Sequence, residues 1–110
     1  MLPFKCRLKK KKDFENVFKS GKGFKEDSLY FKIKKNNLKN SRFCFVVGKN
    51  ISKKAVERNK IKRQLREIIK KNLDEIKINA DCVLIVMPGA ESDYNKLEKI
   101  VNKLFKKAGL

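Results

Sequence analysis

Residues 52–73 read SKKAVERNKIKRQLREIIKKNL. Spaced 100° apart about a helix axis with Arg58 at zero, Ile69, Leu65, Ile61 and Ile68 fall at roughly 20°, 340°, 300° and 280°. That continuous apolar arc predicts a helix from about Lys53 to Leu73 with one buried face. Arg58, Lys62, Arg66, Asn59 and Arg63 fall at roughly 0°, 40°, 80°, 100° and 140° by the same rotation. Glu57 and Glu67 lie at roughly 260° and 180°, outside the basic arc. A helix face built only for solubility interleaves its charges, with acids four residues ahead of bases. Within the basic arc, only Arg63 has an acid at that spacing, Glu67, and in the less favourable order. Segregated cations point instead to a polyanion, since guanidinium groups fork onto phosphate oxygens and stack on exposed bases. Asn59 both donates and accepts, which suits a phosphate, a ribose hydroxyl or a base edge.

Strand signals flank this helix. Arg42 to Val47 is apolar on both faces, as in a central strand, and Asp81 to Met87 is a second apolar run, stopped by Pro88 and Gly89. Strand, long helix, strand implies a crossover within one sheet. Upstream, Ser28 to Lys35 alternates, with Leu29, Phe31 and Ile33 on one face and Tyr30, Lys32 and Lys34 on the other. A short helix from about Asp13 to Lys19 puts Phe14, Val17 and Phe18 on one face and ends at Gly21 and Gly23. Downstream, Ser92 or Asp93 caps a last helix whose stripe is Leu97, Ile100, Val101, Leu104 and Phe105. The expected fold is α+β, one compact two-layer domain over residues 1–110 in the order α-β-β-α-β-α.

Composition narrows the function. Thirty Lys and Arg against twelve Asp and Glu give a formal net charge of +18 on 110 residues. Such an excess costs stability by self-repulsion and makes sense beside a polyanion. Nucleic acid fits better than membrane, because no apolar run approaches the roughly 20 residues of a spanning helix. No apolar signal-peptide core follows the basic N-terminus, so a cytoplasmic location is expected. Cys6, Cys44 and Cys82 are odd in number and form no Cys-x-x-Cys pair; the latter two sit in apolar runs and read as core residues. Histidine is absent, which removes the commonest general base and metal ligand. A protein-only nuclease would need convergent carboxylates, and the twelve acids form no recognisable spaced pair.

Arg58-Asn59, Lys62-Arg63 and Arg66-Glu67 spell R-N-x-x-K-R-x-x-R-E. This resembles the signature of the bacterial ribonuclease P protein subunit. Lys49, Lys53, Lys54, Ala55 and Glu57 resemble one branch of that family, and Arg7-Leu8-Lys9 leading to Asp13-Phe14, Val17-Phe18 and Gly21 is similar to its first helix. The likeness runs from about Arg7 to Phe105. It implies a protein that assists a catalytic RNA subunit in removing the five-prime leader of precursor tRNA, with magnesium held mainly by RNA and no small-molecule substrate. Carried over, Arg58, Asn59, Lys62, Arg63, Arg66, Lys49 and Lys53 would contact RNA. Phe14, Phe18, Tyr30 and Lys32 would line a leader cleft between the first helix and the sheet.

Two features depart from simple transfer. Many family members have an aromatic on the first long strand where this chain has Lys32, leaving Tyr30 on the same face to supply a ring. Around Gly48 to Lys54 the chain has Gly, Asn and Ser where small or basic residues vary in the family, which limits the carry-over there to Lys49 and Lys53. Separately, Phe14 and Phe18 have the spacing of core residues as much as of a stacking platform. The family also has a left-handed βαβ crossover, whereas general rules favour the right-handed form. A basic ribosomal or RNA-assembly protein explains charge and size equally well, but not the linked motif beside the matching first helix.

Overall fold

A computed structural model describes residues 7, 8, 10–48, 51, 53–73, 76 and 79–109. Its elements are α1 (Lys11–Ser20), β1 (Lys22–Glu26), β2 (Leu29–Lys35), β3 (Arg42–Val47), α2 (Ala55–Asn72), β4 (Ala80–Val86) and α3 (Tyr94–Ala108). One four-stranded sheet has the order β1-β2-β4-β3. β2 runs antiparallel to β1 and β4, while β3 and β4 are parallel. β4 is the apolar centre: Ala80, Cys82, Val83 and Leu84 lose all solvent contact.

The alternation of β2 and β4 divides the core. Leu29, Phe31, Ile33, Cys82, Leu84 and Val86 face α2 and α3, joined there by Ile61, Leu65, Ile68, Ile69 and the five-residue stripe of α3. Each such side chain contributes about 1.5–3 kcal/mol of burial. Val83 points the other way, to Leu8 and Val17, with Phe14, Phe18, Cys44, Val46 and Ile85 partly buried around them. The two layers expected are therefore the sheet with α2 and α3, and α1 adds a partial cover on the opposite face. Asp93 caps α3 as expected, its carboxylate accepting from the Lys96 N–H at 3.3 Å.

Two strands differ from expectation. β1 was not foreseen, because Lys22-Gly-Phe-Lys-Glu carries a single large apolar residue and a glycine. Pairing holds it, with Phe24 opposite Phe31, and Asp27 at φ 51° turns the chain back into β2. Asp tolerates that left-handed backbone better than most residues. β3 is an edge strand rather than a central one; its outer side meets the N-terminal segment, where the Leu8 N–H donates to the Phe43 carbonyl at 2.8 Å. Gly21 is required between α1 and β1. A Cβ there would overlap the Val17 carbonyl oxygen and approach the Ile33 carbonyl oxygen to 2.9 Å.

The hand of the β3–α2–β4 connection follows from stereochemistry. Phe43 turns its carbonyl away from β4, toward Leu8, and its ring into the α2/α3 core. For an L-residue on a strand running upward with its side chain toward the viewer, the carbonyl points right. β4 thus lies to the left of β3 when viewed from α2, and the crossover is left-handed. It belongs to the small minority, as the family likeness implied and the general rule did not.

Candidate RNA interface

α2 lies on the sheet through Ile61, Leu65, Ile68 and Ile69 and turns its basic arc outward. Asn59 and Arg63 are exposed; Arg58, Lys62 and Arg66 are half-exposed. Arg58 Nη1 donates to the Lys53 carbonyl at 3.5 Å. Lys62, Arg63 and Arg66 form no ion pair with any described residue. Asn59, Arg63, Arg66 and Glu67 line a shallow cavity of about 340 Å³. Such a surface offers several positive donors at fixed spacing to an extended anion. Lys70 sits on the same arc, exposed and without an ion pair, and was not singled out from the motif. Lys53 is exposed just before the helix, and Lys49 lies outside the described residues.

The opposite face of the sheet is only partly covered by α1. Phe14 and Phe18 stack at 4.7 Å between centroids and 42° between planes, each half-buried against Val17, Leu8 and Val83. One side of each ring joins the core and the other remains accessible. Cys44, Val46 and Ile85 form a half-buried apolar floor on this face. The sequence reading did not place them on an open face, because a two-sided apolar strand looks like core. The available signal was that a single short helix was left to cover this second face.

Tyr30 and Lys32 rise from this same face of β2. Tyr30 is half-buried over Gly23, where a Cβ would overlap its hydroxyl. Lys32 is engaged in the fold: its Nζ donates to the Phe18 carbonyl at 2.8 Å and lies 5.1 Å from the Phe18 ring centroid. That bond satisfies an orphan carbonyl at the end of α1 and pins the helix to β2. At the other end of α1, Arg42 Nη1 reaches Asp13 at 3.1 Å while its Nε and Nη2 grip Asp81 at 2.8 and 2.6 Å. The Asp81 hydrogen bond raises the Arg42 pKa above its ordinary value. Burial pushes the Cys44 thiol up, against a smaller downward pull from the Lys62 charge.

Among the described residues, no three His, Cys, Asp or Glu side chains converge as a metal-binding set. No described helix is long and apolar enough to cross a membrane.

Comparison with known proteins agrees with this geometry. A family model described as Ribonuclease P matches residues 2–109. The ribonuclease P protein component of Syntrophomonas wolfei is 38% identical over 111 residues, covering 100% of this chain and 92% of the relative. That of Synechocystis is 35% identical, covering 99% and 90%. Among solved structures, the Staphylococcus aureus RNase P protein superposes with a TM-score of 0.86 at 27% identity, covering 94% of each chain. The Thermotoga maritima protein gives 0.82 at 32% identity, covering 92% of this chain and 98% of that one. The chain belongs to the ribonuclease P protein family, the protein component of that endoribonuclease.

Proposed function

We propose that the chain binds the catalytic RNA subunit along the basic arc of α2, through Arg58, Asn59, Lys62, Arg63 and Arg66. Lys53 and Lys49 extend that contact at the start of the helix. The single-stranded five-prime leader of precursor tRNA lies in the cleft between α1 and the sheet, against Phe14, Phe18 and Tyr30. Rings take bases of any sequence on their faces, which suits a cleft that receives many leaders. Lys32 sets the position of the cleft wall. The hydrolytic magnesium ions are assigned to RNA phosphates, and the protein positions the two RNAs. A cytoplasmic setting is in keeping with the free thiols of Cys44 and Cys82.

The observation that carries this reading is that Lys62, Arg63 and Arg66 face outward with no ion pair to any described residue, whereas Arg42 is held by two carboxylates. The test is reconstitution of the chain with a bacterial ribonuclease P RNA at low magnesium. Restored leader removal, with precursor tRNA bound more tightly than mature tRNA, is expected. No gain over RNA alone would refute the reading, and cleavage by the protein without RNA would revive a protein-only nuclease.

A further inference from the structure

α2 packs on β3, at one edge of the sheet, while α3 packs on β1 and β2, toward the other. α3 ends at Ala108, where Gly109 turns away at φ 77°. Beyond it a groove of about 800 Å³ opens over β1 and β2. Its floor is Phe24 and Ile33, and Lys22, Lys34, Lys35 and Lys107 surround it; no acid is among its lining residues. Lys22 and Lys35 sit two positions from Phe24 and Ile33, so strand alternation puts them on the same face as the floor. Lys107 is committed, with Nζ at 2.6 Å from Glu26 and 3.1 Å from the Lys25 carbonyl. Lys22, Lys34 and Lys35 are exposed and make no ion pair with any described residue.

We propose that this groove is a further RNA-binding site, distinct from the α2 arc and the α1 cleft, which takes a single-stranded segment with phosphates on Lys22 and Lys35 and a base against Phe24. Lysines tracking a backbone beside an aromatic floor are the parts such a site needs. A duplex would satisfy the lysines but leave the apolar floor without a base face. The volume is within the roughly 300–1,000 Å³ of sites that enclose a small ligand. The groove opens on the face of the sheet opposite the α1 cleft, and across four strands its edge is roughly 14 Å from the edge under α2. The inference rests on the reading that RNA is the partner, and adds a third RNA contact to the protein's surface.

The test places a photo-reactive benzophenone side chain at Lys35 or at Lys70 of the full chain, reconstituted with a ribonuclease P RNA and precursor tRNA. Adducts to RNA from both positions are expected; the RNA that carries the Lys35 adduct identifies the source. RNA adducts from Lys70 alone would overturn the groove while leaving the α2 interface intact. Adducts from neither would remove the RNA reading and the groove with it. A Lys35 adduct to a second protein chain would also overturn the site. Independently, replacing Lys22 and Lys35 together with Ala should lower the slope of log affinity against log salt by roughly 1.4, at about 0.7 per single-strand phosphate. An unchanged slope with an unchanged urea midpoint would refute the proposal.

Discussion

α2 and α3 lie on the same face of the sheet and bury matching stripes, yet they treat their wet sides in opposite ways. On α3, Lys103 and Lys107 reach Glu26 at 3.7 and 2.6 Å, Lys96 reaches Glu91 at 3.5 Å, and Glu98 receives Lys71 at 3.0 Å. On α2, Lys62, Arg63 and Arg66 have no such partner among the described residues. Burial cannot tell the two helices apart, because both solve the same packing problem. The pairing of surface charge can. A cation answered within the fold is largely spent, whereas one left facing solvent keeps its field for an incoming anion.

The largest expected effect tests the shared half of that comparison. Leu65→Ala on α2 and Leu104→Ala on α3 both empty solvent-free positions, and each should cost about 2–5 kcal/mol in urea unfolding. Similar losses would show that the core treats the helices alike; a loss under 1 kcal/mol at either would mean the site collapses around the change.

Next comes the half that differs. Arg63→Ala or Arg66→Ala should leave stability within about 0.5 kcal/mol but weaken binding of the RNA subunit, with the salt slope falling by roughly one per residue. Lys103→Ala, an exposed position on α3 whose charge faces Glu26 at 3.7 Å, should leave that slope unchanged. Equal slopes for all three variants would erase the distinction between the helices.

A smaller effect comes from making α2 resemble α3. Asn59→Glu places an acid four residues ahead of Arg63, the favourable order, and should stabilise the helix by about 0.2–0.5 kcal/mol while reducing RNA affinity. Gains in both stability and affinity would contradict a phosphate role for Arg63.

The smallest concerns Glu26. The Lys107 hydrogen bond holds its carboxyl below the ordinary value of 4.5. Because the folded pKa is the lower one, its stabilisation is present above 4.5 and fades as pH falls through the folded value. Glu26→Gln should therefore lower the urea midpoint slightly at pH 7, and by less as pH falls below 4.5. RNA affinity should not fall.

Where structure is local, the sequence is readable. The 3.6-residue stripes of α2 and α3 and the alternation of β2 were each decided by burial against one neighbour, so Ile61, Leu104 and Phe31 are where periodicity puts them. β1 depends on a partner strand, since Phe24 alone carries no pattern. The edge position of β3 depends on strand order, which its apolar sequence does not encode. The basic arc was legible as an outward-facing surface because segregated charge has no role in packing. The cleft floor of Cys44, Val46 and Ile85 was not, because an apolar side chain facing a cleft has the same sequence signature as one facing a helix. Lys32 illustrates the third kind of loss: its role at the end of α1 required knowing which carbonyl lay above it.

That lysine has a further consequence. The peg that holds α1 to β2 is an ammonium meeting a carbonyl, not a carboxylate. A dipole fixes its position without cancelling its charge. One side chain thereby sets the width of the cleft and remains a positive pole at its wall, so bracing the wall takes nothing from the attraction an entering phosphate chain would feel.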